Sequence, residues 1–132
     1  MSFELWTLFA AVILGLIHLS AASFSFKAQV GNAYTVGPRD EGLRPTGVSA
    51  RLHRANANFL ETFPYFAALV LMAHLTASGG TLSHWGCILY IAGRIVFLPL
   101  YAAGTVWFRT ISWNVATFGL ALIGAQLLVA GR

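Results

Sequence analysis

Arg51, Arg54, Asn58 and Glu61 stand at offsets of zero, three, seven and ten, at the head of an apolar run. At 3.6 residues per turn they share one stripe of a helix, which Tyr65 extends. A second set, Tyr90, Arg94 and Tyr101, at offsets of zero, four and eleven with Phe97 between them, also shares one face. Arg109 is a third, separate cation. Guanidinium forks bind carboxylates through paired N–H donors. Arginines from different segments that converge with Asn58 and two tyrosines would therefore make a cationic, donor-rich pocket for a small anion carrying carboxylates. Counting inward from the helix ends puts Glu61 and Arg94 at comparable depth, so a buried ion pair between them is expected.

The elements that must position these residues are membrane segments. Of 132 residues, 58% are hydrophobic and only 9% are charged, whereas a soluble domain spends about 25% of its residues on Asp, Glu, Lys and Arg. A solvated globule, a disordered tail and a collagen-like fibre are excluded on that ground. Leu5 to Phe26, Asn58 to Ala77, Ser83 to Gly104 and Ser112 to Ala130 are apolar runs. At ~1.5 Å per residue each can cross a hydrocarbon core of roughly 30 Å. The expected fold is an all-α integral membrane protein, one domain over residues 1–132, built as a four-transmembrane-helix bundle with consecutive helices antiparallel. Residues 27–50, with Gly31-Asn32, Gly37-Pro38, Pro45 and Gly47, are expected to form a long loop. Residues 104–111 form a shorter link that holds Arg109. Glu4 and the lack of an early Lys or Arg argue against a cleaved leader in the first run.

A charge deep in a bilayer costs about 2.5 to 3.5 kcal/mol, so the polar stripe must turn inward and find partners. Pro64 and Pro99 lie inside their helices and permit kinks beside it. Lys27, Arg39, Arg44, Arg51 and Arg54 flank the first loop and Arg109 the third, against Arg132 alone on the other side. The positive-inside rule then places those loops in the cytoplasm and both termini opposite. The net charge of +4 is scattered through apolar sequence and offers no basic face for nucleic acid.

The remaining chemistry-bearing residues read more simply. Cys87 is the single cysteine, which removes an intramolecular disulfide and a cysteine zinc site. His18 has no second histidine at i+4 and reads as a packed side chain, so no metal is expected. His74 and His84 bracket the turn Ser78-Gly79-Gly80-Thr81 and read as interfacial. Phosphate-binding glycine loops and hydrolase signatures are missing.

The segment Arg51 to Phe66 strongly resembles the signature of the MAPEG family, the membrane-associated proteins in eicosanoid and glutathione metabolism. The pattern R-x-x-R-A-x-x-N-x-x-E-x-x-P-x-F is met at every fixed position, through Arg51, Arg54, Ala55, Asn58, Glu61, Pro64 and Phe66. Gly93-Arg94 followed by Tyr101 is similar to the family's third-helix motif, and Arg109 to its late arginine. Gly37 to Glu41 resembles a loop motif of a bacterial branch, which implies a bacterial inner membrane. The resemblance implies a homotrimer with glutathione as co-substrate between subunits near the cytoplasmic face. By resemblance, Arg51, Arg54, Asn58, Glu61, Arg94 and Tyr101 bind glutathione, Arg94 pairing with the helix glutamate, and Arg109 is the catalytic residue that stabilises the thiolate.

Two functions follow. One is a glutathione-dependent transferase or peroxidase, in which a small lipophilic electrophile arrives from the lipid and meets a thiolate favoured by a nearby cation. The other is a non-catalytic accessory subunit or lipid-binding module on the same scaffold. Its support is the placement of Trp6, Trp85, Trp107 and Trp113 near the interfaces.

Overall fold

The computed structural model describes residues 1–131; Arg132, the lone cation expected on the far side, lies outside them. Five helices account for nearly all of the chain: α1 Phe3–Val30, α2 Asn32–Val36, α3 Gly47–Leu75, α4 Thr81–Ala102 and α5 Trp107–Ala130. Three of these, α1, α4 and α5, are long and apolar enough to cross a membrane. Helix α3 is as long, at 29 residues, but its first half carries Arg51, His53, Arg54, Asn56, Asn58 and Glu61.

The polar ties between helices define two ends. At one end Glu4 of α1 accepts from Ser83 Oγ of α4 at 2.9 Å, and Gln126 Oε1 of α5 accepts from Leu82 N at 3.2 Å. At the other, Ser25 of α1 meets Ser49 of α3 at 3.1 Å. There Arg51 Nε also donates to the carbonyl of Ala102, the last residue of α4, at 2.9 Å. The start of α1, the end of α3, the start of α4 and the end of α5 therefore share one end. Successive long helices run antiparallel, as the short turns at 76–80 and 103–106 require.

Glycine sets how closely α4 and α5 approach. A Cβ built on Gly86 would lie 2.6 Å from the Gly119 carbonyl oxygen, and one on Gly93 would lie 2.8 Å from that of Ser112. The Ser112 hydroxyl donates to the Gly93 carbonyl across this contact. Small residues at such positions let helix backbones pack without intervening side chains. Beside this seam, Phe66, Val70, Cys87, Tyr90, Ala116 and Ile123 form a core together with Ala11. Cys87 is wholly buried there.

The helix boundaries correct the sequence reading in three places. Helix α3 begins at Gly47, eleven residues before Asn58, because the backbone hydrogen bonds of a helix continue through polar residues as well as apolar ones. At ~1.5 Å per residue it is about 44 Å long, well beyond a hydrocarbon core. The expected loop at 27–50 shrinks to 37–46, since α1 runs on to Val30 and α2 follows. That loop is tied down: Gln29 Nε2 donates to the Arg44 carbonyl at 3.0 Å, and Gln29 Oε1 accepts from Thr46 N at 2.9 Å. Lastly, α5 begins at Trp107, so Arg109 stands in its first turn and not in a connecting loop.

Candidate functional site

The end bearing the basic residues holds a cleft of about 210 Å³ lined by Asn58, Phe97, Tyr101, Arg109, Thr110 and Trp113. Helix α3 supplies Asn58, α4 supplies Phe97 and Tyr101 one turn apart, and α5 supplies the other three. The i and i+4 spacing of Arg109 and Trp113 puts both on one face of α5. The Arg109 guanidinium lies over the Tyr101 ring, its central carbon 4.5 Å from the ring centroid. Tyr101 in turn meets Phe97 edge to face at 5.3 Å. This stack fixes a cation whose N–H groups have no acceptor among the described residues.

Behind the cleft Arg94 is wholly buried. Its Nη1 donates to Asn58 Oδ1 at 2.8 Å and its Nη2 to Thr62 Oγ1. The Thr62 hydroxyl also meets that of Tyr90 at 3.2 Å. The guanidinium carbon lies 5.2 Å from the Phe97 ring centroid and 5.7 Å from that of Tyr90. Arginine can only donate, so Asn58 must turn its oxygen to Arg94, which leaves its amide N–H groups as donors elsewhere.

The expected Glu61 to Arg94 ion pair does not form. Glu61 is exposed on the outer face of α3, and among the described residues the one ion pair joins His84 to Glu4 at 3.3 Å, at the opposite end. Asn58 and Thr62 are one turn apart and face α4, whereas residue 61 is rotated away from it by about 100° from residue 62. Neutral oxygens, and not a carboxylate, take the two terminal nitrogens of the buried guanidinium, and its Nε has no partner among the described residues.

The other expected site residues divide. Asn58, Tyr101 and Arg109 come together in the cleft, with Arg94 in contact behind it. Arg51 stands at the same end, engaged with the α4 terminus through Nε. Arg54 is exposed beyond the cleft lining. Sequence reasoning missed Thr62, Thr110 and the cleft position of Trp113. Thr62 lies at i+4 from Asn58, and Trp113 at i+4 from Arg109, so helical spacing carried both signals once the helix bounds were right. His18 is buried, its Nδ1 3.0 Å from the Leu14 carbonyl and its ring stacked on Phe59 at 4.7 Å. Among the described residues, no three His, Cys, Asp or Glu side chains group closely enough to hold a metal ion.

The family model for MAPEG matches residues 3–129. The chain belongs to the MAPEG family. No curated protein and no solved structure matches it. Membership accounts for the all-α architecture with its three apolar spans, and makes this a membrane protein of a family concerned with glutathione and eicosanoids. Every fixed position of the MAPEG signature lies on α3, and its Arg51 and Asn58 face the end of the bundle where the cleft opens.

Proposed function

We propose that this MAPEG protein is a glutathione-dependent membrane transferase or peroxidase acting on small lipophilic electrophiles, with glutathione as co-substrate. The observation that carries the reading is the convergence of Asn58, Tyr101 and Arg109 on one donor-rich cleft at the basic end of the bundle. In this reading Arg51, Arg54 and Glu61 at the mouth and Asn58 in the cleft hold the charged and polar ends of glutathione, with Tyr101 beside them. Arg94 orients Asn58 from behind. Arg109 is the catalytic residue: a guanidinium next to sulfur favours thiolate over thiol, and the thiolate is the nucleophile. In transfer, a sulfur–carbon bond forms and the electrophile's leaving atom takes the bond pair. With a hydroperoxide, sulfur attacks the terminal oxygen, the O–O bond breaks and the alcohol leaves. A second glutathione then converts the sulfenic acid to disulfide and water.

The same reading makes α3 a fourth crossing and the assembly a homotrimer. Arg54, Glu61 and Tyr65 lie exposed along α3, and Asn56 Oδ1 is buried without a partner among the described residues. Polar groups at membrane depth need cover, and a neighbouring subunit supplies it. The crowding of Lys27, Arg39, Arg44, Arg51, Arg54 and Arg109 at the cleft end supports a cytoplasmic cleft, with the termini opposite, in a bacterial inner membrane.

The test is a glutathione titration of the detergent-purified protein, read by heat of binding and by the ultraviolet thiolate band. Saturable binding with a thiolate band that Arg109→Ala removes, while the protein stays folded, is expected. No binding to folded protein at millimolar glutathione would end the enzyme reading in favour of an accessory or lipid-binding role.

A further inference from the structure

Helix α4 ends in a turn that satisfies most of its own carbonyls. The Gly104 N–H donates to the Tyr101 carbonyl at 3.0 Å, the Thr105 N–H to that of Leu100 at 3.2 Å and the Ala103 N–H to that of Pro99 at 3.0 Å. With Gly104 at φ 76°, the first two bonds are those of a Schellman helix end. They leave the Ala102 carbonyl over. Its donor comes from another helix, Arg51 Nε of α3 at 2.9 Å. The stem of Arg51 runs beside the turn, its Cδ and Nε each 3.9 Å from a Cβ built on Gly104. A cation at this place also suits the negative end of the α4 dipole.

What the turn carries is Arg109. Only residues 103–106 separate Ala102 from the start of α5, and Arg109 folds back over the ring of Tyr101, the neighbour of Ala102, at 4.5 Å. A cation in the first turn of a helix meets the positive end of its dipole, so this placement has to be enforced from outside α5. The Tyr101 ring holds the guanidinium, and Arg51 holds the backbone beside that ring. The terminal nitrogens of Arg51 have no acceptor among the described residues. We infer that Arg51 is a positioning residue for Arg109: through Nε it caps α4 from α3, and so fixes the turn that sets the Arg109 guanidinium on Tyr101. This rests on the glutathione-dependent reading above and deepens it, because one side chain at the mouth then both meets glutathione and places the cation that favours its thiolate. Arg51 touches no reacting atom in this arrangement. Its effect on the thiol runs through the turn.

Two substitutions separate the cap from the charge. Glutamine puts an amide N–H where arginine has Nε, methionine puts a methyl there, and neither is charged. The experiment uses the full chain in detergent, with glutathione at a concentration that saturates each variant. Calorimetry gives the affinity, and a pH titration of the ultraviolet thiolate band gives the midpoint of the bound thiol. Arg51→Gln and Arg51→Met are both expected to weaken glutathione binding about tenfold, the worth of one charged hydrogen bond. Only Arg51→Met is expected to move the midpoint, upward by about one pH unit toward the ~8.5 of an ordinary thiol. Arg51→Gln, which restores the cap donor, is expected to keep the midpoint of the unmutated protein. Where Arg51→Met does not fold, Arg51→Lys replaces it, since lysine keeps the charge and puts a methylene at the Nε position; its midpoint is expected to rise likewise. Equal midpoints with and without the cap donor overturn the inference while glutathione binding keeps the enzyme reading alive: a shared rise assigns the effect to the charge of Arg51, and no rise leaves Arg51 a ligand contact alone. Failure of the unmutated protein to bind glutathione overturns both.

Discussion

Replacing Arg94 by methionine and by alanine separates its role in the fold from its role in the cleft. Either change removes two hydrogen bonds from a charged donor, to Asn58 Oδ1 and to Thr62 Oγ1, worth about 1.5 to 3 kcal/mol each. The gross loss is about 3 to 6 kcal/mol. Against it stands the cost of holding a wholly buried guanidinium with no carboxylate partner, several kcal/mol for an ion taken out of water. Methionine keeps most of the stem between Phe97 and Tyr90, so Arg94→Met should change unfolding free energy by only about 0 to 2 kcal/mol. Arg94→Ala also leaves a cavity and should cost about 2 to 5 kcal/mol more. Both variants free the Asn58 amide to rotate, so both should weaken glutathione binding about three- to tenfold, the worth of one hydrogen bond. Thermal unfolding in detergent and calorimetric titration read the two effects separately. Glu61→Ala combined with Arg94→Met is the control: with no ion pair between the two residues, their effects on stability should add within about 0.5 kcal/mol. A coupling of about 1 to 3 kcal/mol between them would refute this account and restore Glu61 as the partner of Arg94.

Gly93→Ala forces a methyl to within 2.8 Å of the Ser112 carbonyl oxygen and 3.0 Å of Ala116 Cβ, so it should lower stability by about 1 to 3 kcal/mol in thermal unfolding. Gly124→Ala, with nothing within 4 Å of its built Cβ, should be neutral or slightly stabilising in the same assay, since alanine suits a helix interior better by about 0.5 to 1 kcal/mol. Tyr101→Leu removes the ring under Arg109 and with it a cation contact of about 0.5 to 2 kcal/mol. The thiolate band should weaken in Tyr101→Leu and survive in Tyr101→Phe, as difference spectra with saturating glutathione would show. Glu4→Ala leaves the Ser83 hydroxyl without the carboxylate that caps this end of the bundle, at a cost of about 1 to 3 kcal/mol in thermal stability. Its glutathione titration should match that of the unmutated protein.

The sequence reading succeeded where chemistry depends on residues already adjacent along a helix. Arg51 and Asn58 share a stripe that faces the cleft end, and Phe97 and Tyr101 share the face of α4 that meets α5. It failed where two helical spacings compete. From Asn58 both i+3 and i+4 lie close to the same face, and charge pairing singled out Glu61 at i+3, whereas the packed helix turns Thr62 at i+4 toward Arg94. The preference for a carboxylate overlooked that an amide and a hydroxyl can between them take both terminal nitrogens of a guanidinium. Hydropathy failed differently. It marks where a chain becomes apolar, not where its backbone becomes helical, so α3 and α5 were started late, at 58 and 112. The second error leaves Trp113 as an interfacial aromatic, because a loop at Arg109 gives no reason to place the two on one helix face.

The two ends of the bundle differ in how their polar groups are satisfied, and that difference supports the proposed cleft. At the end where α1 starts, the Glu4 carboxylate accepts from Ser83 and faces His84 at 3.3 Å. There the Ser83 hydroxyl accepts from Gly80 N at 2.8 Å, and Gln126 holds Leu82 N. Donors and acceptors match, and the network ties together three helices. At the cleft end several donors lack an acceptor among the described residues. Arg109 is held by an aromatic face, the Asn58 oxygen is used by Arg94, and Arg94 Nε and the Trp113 N–H are left over. Folding alone does not favour that imbalance, since an unpaired buried donor costs about 1 to 3 kcal/mol. An acceptor-rich ligand in the cleft, as the glutathione reading proposes, would offset that cost, and the other end needs no such partner.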